Sequence, residues 1–191
     1  ERLPQEDMCQ ALSVPSTQKY QDHGGPGMAA ILDRLQEADD PARDRMAFFR
    51  SQILFWLIGA TDGHAKNFSL FLRPGGRFEL TPFYDILTAQ PAFDAKQIPH
   101  KSFRLAMSAG TSPHYRIDDV LGRHFIQSGK AAGLGPTLMR KVVDEIRAEA
   151  ETAPDRALKD MPGDFHPEAY DAIAAILPRR LTFLETAYRE F

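Results

Sequence analysis

The chain has 191 residues, 43% hydrophobic and 26% charged, which is the make-up of one soluble globular domain with enough length for a substantial core. A formal net charge of −3 argues against a dedicated nucleic-acid-binding domain but leaves room for a local basic patch. A single cysteine, Cys9, excludes an internal disulfide and any zinc-finger spacing. With no signal peptide and no apolar run long enough for a bilayer, a cytoplasmic protein without membrane contact is expected.

In chain order, Pro4-Gln5-Glu6-Asp7 places proline and acids as in a first helical turn, predicting a short helix to about Leu12 that Val14-Pro15-Ser16 ends. Cys9, beside Met8 and Leu12, reads as a packed thiol. Residues 16–27 form a polar, glycine-rich loop, and Met28, Ile31, Leu32 and Leu35 mark one face of a helix to about Ala38. Asp40-Pro41 caps a helix running to about Ile58. Its apolar residues Met46, Phe49, Ile53, Leu54, Trp56 and Leu57 widen from a stripe towards the full circumference, so its C-terminal half belongs to the core. Trp56 is a core residue on this reading, not a nucleobase platform.

Phe68–Leu72 and Arg77–Leu80 flank Arg73-Pro74-Gly75-Gly76, a hairpin signal. Residues 88–116 are mixed and proline-broken, with one short strand over 101–105. From Asp118 the chain reads as helical, with helices from 118 to about Ala132 and from Pro136 to about Thr152. A last helix starts at Pro167 and is kinked or divided at Pro178. The fold class is mostly α (α+β), with a small antiparallel hairpin.

The chemistry concentrates in Thr61-Asp62-Gly63-His64-Ala65-Lys66-Asn67 and, beyond the hairpin, Thr81-Pro82-Phe83-Tyr84-Asp85. Phosphoryl transfer needs a carboxylate that orients the attacking hydroxyl and takes its proton, with hard oxygen ligands for Mg²⁺. The Asp-x-x-x-x-Asn spacing followed by a second Asp after a strand pair supplies that set. Asp62 is read as the base, and Asn67 and Asp85 as metal ligands. Taken singly, Asp62-Gly63 would be a turn and Asp85 a cap; their order and separation favour a site.

These residues resemble the C-terminal part of HipA-type serine/threonine-protein kinases, the toxin half of bacterial toxin–antitoxin pairs. The resemblance begins at Arg2–Asp7, passes through Gly24-Gly25-Pro26-Gly27 and is most specific over Trp56–Ser69. It continues over Leu80–Ile86 and, more weakly, Arg123-His124-Phe125. It implies the helical C-terminal lobe of a kinase-like fold over residues 1–191, with ATP and Mg²⁺ as cofactors. It implies that His64, Ala65, Lys66 and Asn67 line the ATP phosphates, that Tyr84 and Asp85 close the nucleotide site, and that Lys66 could reach a phosphate oxygen. A protein hydroxyl is the implied acceptor, with an aminoacyl-tRNA synthetase as target class, growth arrest or persistence as outcome, and a DNA-binding antitoxin as partner.

The resemblance also implies operator DNA mainly through the antitoxin, with Lys130 as the place for a direct contact and Gly133 where another basic residue would be expected. The family places its nucleotide-binding lobe upstream of where this chain opens, and neither a glycine-rich phosphate loop nor a strand lysine is found here. Little activity is therefore expected of the stretch alone. Two other readings stay open: a small-molecule or lipid phosphotransferase, since Asp-x-His-x-x-Asn loops occur there too, and a non-catalytic antitoxin- or DNA-binding module. Whether an upstream lobe belongs to the same polypeptide separates the last from the others.

Among the remaining residues, His64 lacks neighbouring histidines at ligand spacing and is expected to donate a hydrogen bond within the catalytic loop, not to bind zinc. His100, His114, His124 and His166 read as surface or satisfied core histidines. Arg123, Lys130, Arg140 and Lys141 read by default as a solvated helical face.

Overall fold

The computed structural model describes residues 3–150, 152–162 and 167–191; Arg2 and His166, named above, lie outside them. Three short strands form one antiparallel sheet: β1 (Gln5–Asp7), β2 (Ser69–Arg73) and β3 (Arg77–Leu80), in the order β1-β2-β3. Gln5 pairs with Phe71, and Leu70 with Leu80. The hairpin lies where its turn chemistry predicts it. The N-terminal segment does not form the expected first helical turn, because β2 offers an open edge: Leu72 donates to the Pro4 carbonyl and Met8 to that of Phe68. Helix α1 (Met8–Ala11) starts only after Asp7, whose carboxylate accepts from the Gln10 N–H while the Gln10 side chain accepts from the Asp7 N–H.

Helix α2 (Met28–Arg34), continued by a 3₁₀ turn over Leu35–Glu37, buries Met28, Ile31, Leu32 and Leu35 as its periodicity requires. Helix α3 (Pro41–Ile58) is the axis of the molecule. Asp40 caps it through the Arg43 N–H, and Asp44 one turn on is buried, accepting from the Leu80 N–H at 2.8 Å and so tying α3 to the sheet. Phe48, Phe49, Ile53, Phe55, Trp56 and Leu57 are all buried, which leaves Leu54 as the exposed exception near the helix end. Each such side chain contributes about 1.5–3 kcal/mol of transfer free energy. Trp56 is wholly core, and its indole N–H is satisfied by the Ile117 carbonyl at 3.0 Å.

The C-terminus of α3 is held by residues far along the chain. Gly59 caps it in the left-handed conformation at φ +71°. The Leu57 carbonyl accepts from Arg180, the Ile58 carbonyl from the Thr88 hydroxyl and the Gly59 carbonyl from the Ala89 N–H. Helix ends leave such carbonyls without intrahelical partners, so these bonds fix where the chain leaves α3 and enters the loop that follows.

Between sheet and C-terminal helices lie α4 (Gln90–Asp94) and a second antiparallel pair, β4 (Arg104–Ala109) with β5 (His114–Arg116), which contains a register irregularity. The strand expected over 101–105 is therefore later and longer, and its partner is tucked behind Pro113. Helix α5 (Gly122–Ala131) is preceded by a 3₁₀ turn at Ile117–Asp119, a later start than expected. Helix α6 (Pro136–Ala150) follows, then α7 (Ala153–Lys159), which was not expected. Helix α8 (Glu168–Leu184) runs through Pro178 as one element, followed by a 3₁₀ stretch over Glu185–Glu190. The fold is thus mostly helical with small antiparallel sheets, as the sequence implies.

Candidate active site

The loop leaving α3 is fixed at Gly63, where an added Cβ would stand 2.3 Å from the Phe55 ring. Only glycine lets the backbone lie on that buried ring, which itself stacks on Phe68 at 5.8 Å. Two residues on, Ala65–Asn67 forms a single 3₁₀ turn with Ala65 and Asn67 buried. The Ala65 N–H donates to the Lys19 carbonyl at 3.2 Å, and the Asn67 N–H to the His64 carbonyl at 2.9 Å.

The Asn67 side chain links the pieces of the site. Its Oδ1 accepts from the His64 backbone N–H at 3.1 Å, and its Nδ2 donates to Asp85 Oδ2 at 2.7 Å. The hairpin thus returns Asp85 to Asn67. Asp85 is exposed and has a left-handed backbone at φ +56°, a conformation that costs free energy for any residue with a Cβ and is concentrated at functional sites. Tyr84, beside it, is held by its hydroxyl, which donates to the Lys66 carbonyl at 2.8 Å and lies 2.6 Å from the Ser69 hydroxyl.

Asp62 projects from the same loop with its side chain 63% exposed, and its Oδ1 accepts from the Tyr20 hydroxyl at 2.6 Å. That hydrogen bond, with burial and the Asp62 charge behind it, pushes the Tyr20 phenol up to about 12. Tyr20 lies in the stretch that reads in sequence as a polar, glycine-rich loop, and a tyrosine just ahead of three glycines is its sole signal.

One expectation is corrected. The His64 ring donates no hydrogen bond among the described residues: Nδ1 is buried without a partner and Nε2 lies 3.9 Å from Asp62 Oδ2. The residue contributes its backbone N–H instead, because burial of the imidazole between Tyr20 and the loop removes the ring from ordinary acceptors. Burial also lowers its pKa, which keeps it neutral. Lys66 is paired within the chain: its ammonium donates to Asp7 Oδ2 at 2.6 Å, an acid that the strand conformation of β1 brings alongside.

The chemistry of the donor set suits Mg²⁺. Asp85 supplies an exposed carboxylate beside the buried Asn67, whose Nδ2 faces Asp85 while its Oδ1 turns to the His64 N–H, so Asn67 would offer its oxygen to a cation at Asp85 with the amide reversed. Mg²⁺ takes one or two protein oxygens and completes its shell with phosphates and water. Among the described residues no group of three or more His, Cys, Asp or Glu could hold a metal, so the arrangement does not suit an all-protein cage. An apolar groove of about 710 Å³, lined in part by Leu54, Leu87, Ile146, Leu158 and Ile173, contains none of these groups.

The cationic positions are engaged within the chain. Lys130 donates to the Glu190 carbonyl and lies 3.7 Å from its carboxylate, while Arg140 packs over the Tyr188 and Phe191 rings. Cys9 is buried, and burial raises its pKa, as for a packed thiol. No helix among the described residues is long and apolar enough to cross a membrane.

Comparison with known proteins places these residues in context. The HipA-like C-terminal domain family matches residues 1–153. The inferred kinase Y4mE of Sinorhizobium fredii is 31% identical over 160 residues, covering 83% of this chain and 36% of that protein. The serine/threonine-protein kinase toxin HipA of Shewanella oneidensis is 31% identical over 103 residues, covering 48% of this chain and 23% of the toxin. Among solved structures, the Shewanella oneidensis complex of HipA, HipB and operator DNA superimposes with a TM-score of 0.82 at 20% identity, covering 98% of this chain and 46% of the matched one. The chain therefore spans less than half the length of these relatives.

Proposed function

We propose, from the premise that this chain belongs to the HipA-like C-terminal domain family, that it is the catalytic lobe of a kinase transferring the ATP γ-phosphate to a protein serine or threonine hydroxyl. The observation that carries the reading is the 2.7 Å contact that joins Asp85, beyond β3, to Asn67 on the loop that also presents Asp62. In this reading Asp62 accepts the proton of the attacking hydroxyl and orients it. Asn67 and Asp85 would hold Mg²⁺, which would supply charge neutralisation at the phosphates. The backbone of the 3₁₀ turn at Ala65–Asn67 and the Tyr84 side chain border the nucleotide, and His64 stays neutral behind them. Lys66 reaches a phosphate only by exchanging its bond to Asp7.

The remainder of the ATP site belongs to an upstream lobe, so this lobe alone is expected to turn over little. The proposed partner is an antitoxin of the HipB kind, which the superimposed Shewanella complex supports by likeness of fold. Operator DNA would be met chiefly through that antitoxin, since Lys130 is already bound to the C-terminal stretch. An aminoacyl-tRNA synthetase as acceptor and growth arrest or persistence as outcome follow the family.

The test is transfer of label from γ-labelled ATP to protein acceptors by the full-length protein, with Asp62→Asn and Asp85→Asn in parallel. Both variants are expected to lose at least about 10²-fold in transfer while remaining folded. A folded Asp62→Asn protein with normal turnover removes the base assignment, and label appearing on small molecules or lipids instead of protein removes the acceptor assignment.

A further inference from the structure

We propose that Tyr20 is a positioning residue for the proton acceptor, and that the glycine-rich segment around it exists to aim its hydroxyl at Asp62. The inference rests on the reading of Asp62 as the base. An aspartate side chain that is 63% exposed ordinarily samples its staggered rotamers in water. Here Oδ1 is fixed by the Tyr20 hydroxyl at 2.6 Å, a contact spanning 42 residues, while Oδ2 has no hydrogen-bond partner among the described residues. One carboxylate oxygen is thereby anchored and the other left to receive an acceptor hydroxyl.

The segment carrying Tyr20 is held from three sides. The Lys19 carbonyl accepts from Ala65, which stitches the segment to the catalytic loop itself. The Tyr20 ring stands edge-on to His64, centroids 5.1 Å apart. Gln21 grips β4, donating to the Ser108 hydroxyl at 2.9 Å and accepting from the Ser108 N–H at 2.8 Å. The Tyr20 carbonyl accepts from both His23 and Gly25. This curl closes so tightly that a Cβ at Gly25 would lie 2.1 Å from the Gln18 carbonyl oxygen and 2.7 Å from that of Tyr20. The glycine is required for the curl, and the curl sets the direction of the tyrosine.

The test is steady-state turnover of Mg²⁺-ATP by the full-length protein, comparing wild type, Tyr20→Phe, Gly25→Ala and Asp62→Asn. Three staggered wells imply about a threefold loss from rotamer sampling alone, and loss of orientation at the second torsion brings the expected fall in kcat for Tyr20→Phe to about tenfold. KM for ATP should stay within twofold, because Tyr20 touches neither Asn67 nor Asp85. Gly25→Ala, which keeps the tyrosine but displaces it, should reproduce the kcat loss. A general loosening of the fold would instead move KM and the thermal midpoint. Wild-type kcat in Tyr20→Phe beside an inactive Asp62→Asn overturns this inference alone. Full activity in Asp62→Asn, or no turnover by wild type, overturns the reading on which it rests.

Discussion

Replacing Arg180 by Met should destabilise the protein by about 2–3 kcal/mol and reduce phosphotransfer as well. The guanidinium is 4% exposed and donates to the Leu57 carbonyl at 2.9 Å and to Gln90 Oε1 at 2.6 Å. Removing it leaves two buried acceptors unpaired, each costing roughly 1–3 kcal/mol, and takes a cation from a helix C-terminus, where it is worth up to about 2 kcal/mol. Against this, methionine spares the desolvation of a charge. That desolvation is the main cause holding the Arg180 pKa down at about 10, so the group remains protonated at neutral pH but at some expense. The offset is of order 3 kcal/mol, which leaves the net loss stated. Urea denaturation of the full-length protein measures it, with an unchanged slope showing that the same surface unfolds. A Met variant within 0.5 kcal/mol of wild type would refute the claim that this buried cation holds the end of α3, and with it the argument that α3 places the catalytic loop.

Three further outcomes follow from particular contacts. His124 is buried, lies with its ring centroid 3.9 Å from that of His114 and has its pKa lowered to about 4, first by burial and then by the nearby charges of His114 and Arg123. The unfolded chain then binds the extra proton below about 6.5, so stability should fall by roughly 3 kcal/mol as pH drops from 6.5 to 4, and His124→Gln should flatten that slope in denaturation measured across the range. Gly63→Ala drives a methyl into the Phe55 ring and should cost about 1–3 kcal/mol, together with turnover, in thermal unfolding and activity assays. Asp85→Gly should relieve the left-handed backbone but leave the buried Asn67 Nδ2 without its acceptor, so stability in denaturant unfolding should not rise while Mg²⁺-dependent ATP binding is abolished.

What could be read from the sequence was whatever depends on local chemistry. The run from Asp40-Pro41 to Ile58 carries both its cap and its burial pattern, and Pro74-Gly75-Gly76 between two apolar runs fixes the hairpin. The Asp62, Asn67 and Asp85 spacing anticipated the Asn67–Asp85 contact, because a short hairpin returns the chain to its start. What could not be read depends on partners remote in the chain. Gln5–Asp7 has helical signals of its own but meets the β2 edge, and tertiary pairing overrides a weak propensity. The Tyr20–Asp62 bond and the Arg180 clamp span 42 and 123 residues, and neither side chain stands in any periodic pattern. The Lys66–Asp7 pair is equally hidden in the sequence, because Asp7 arrives beside it only through the sheet.

The most direct test of a Mg²⁺-dependent phosphate site at Asn67 and Asp85 is a calorimetric titration of a non-hydrolysable ATP analogue onto the full-length protein. It would be run with and without Mg²⁺, alongside Asp85→Asn. Binding is expected to require Mg²⁺ and to be lost in the variant. Binding of equal strength without the metal, or undiminished in Asp85→Asn, would contradict that assignment.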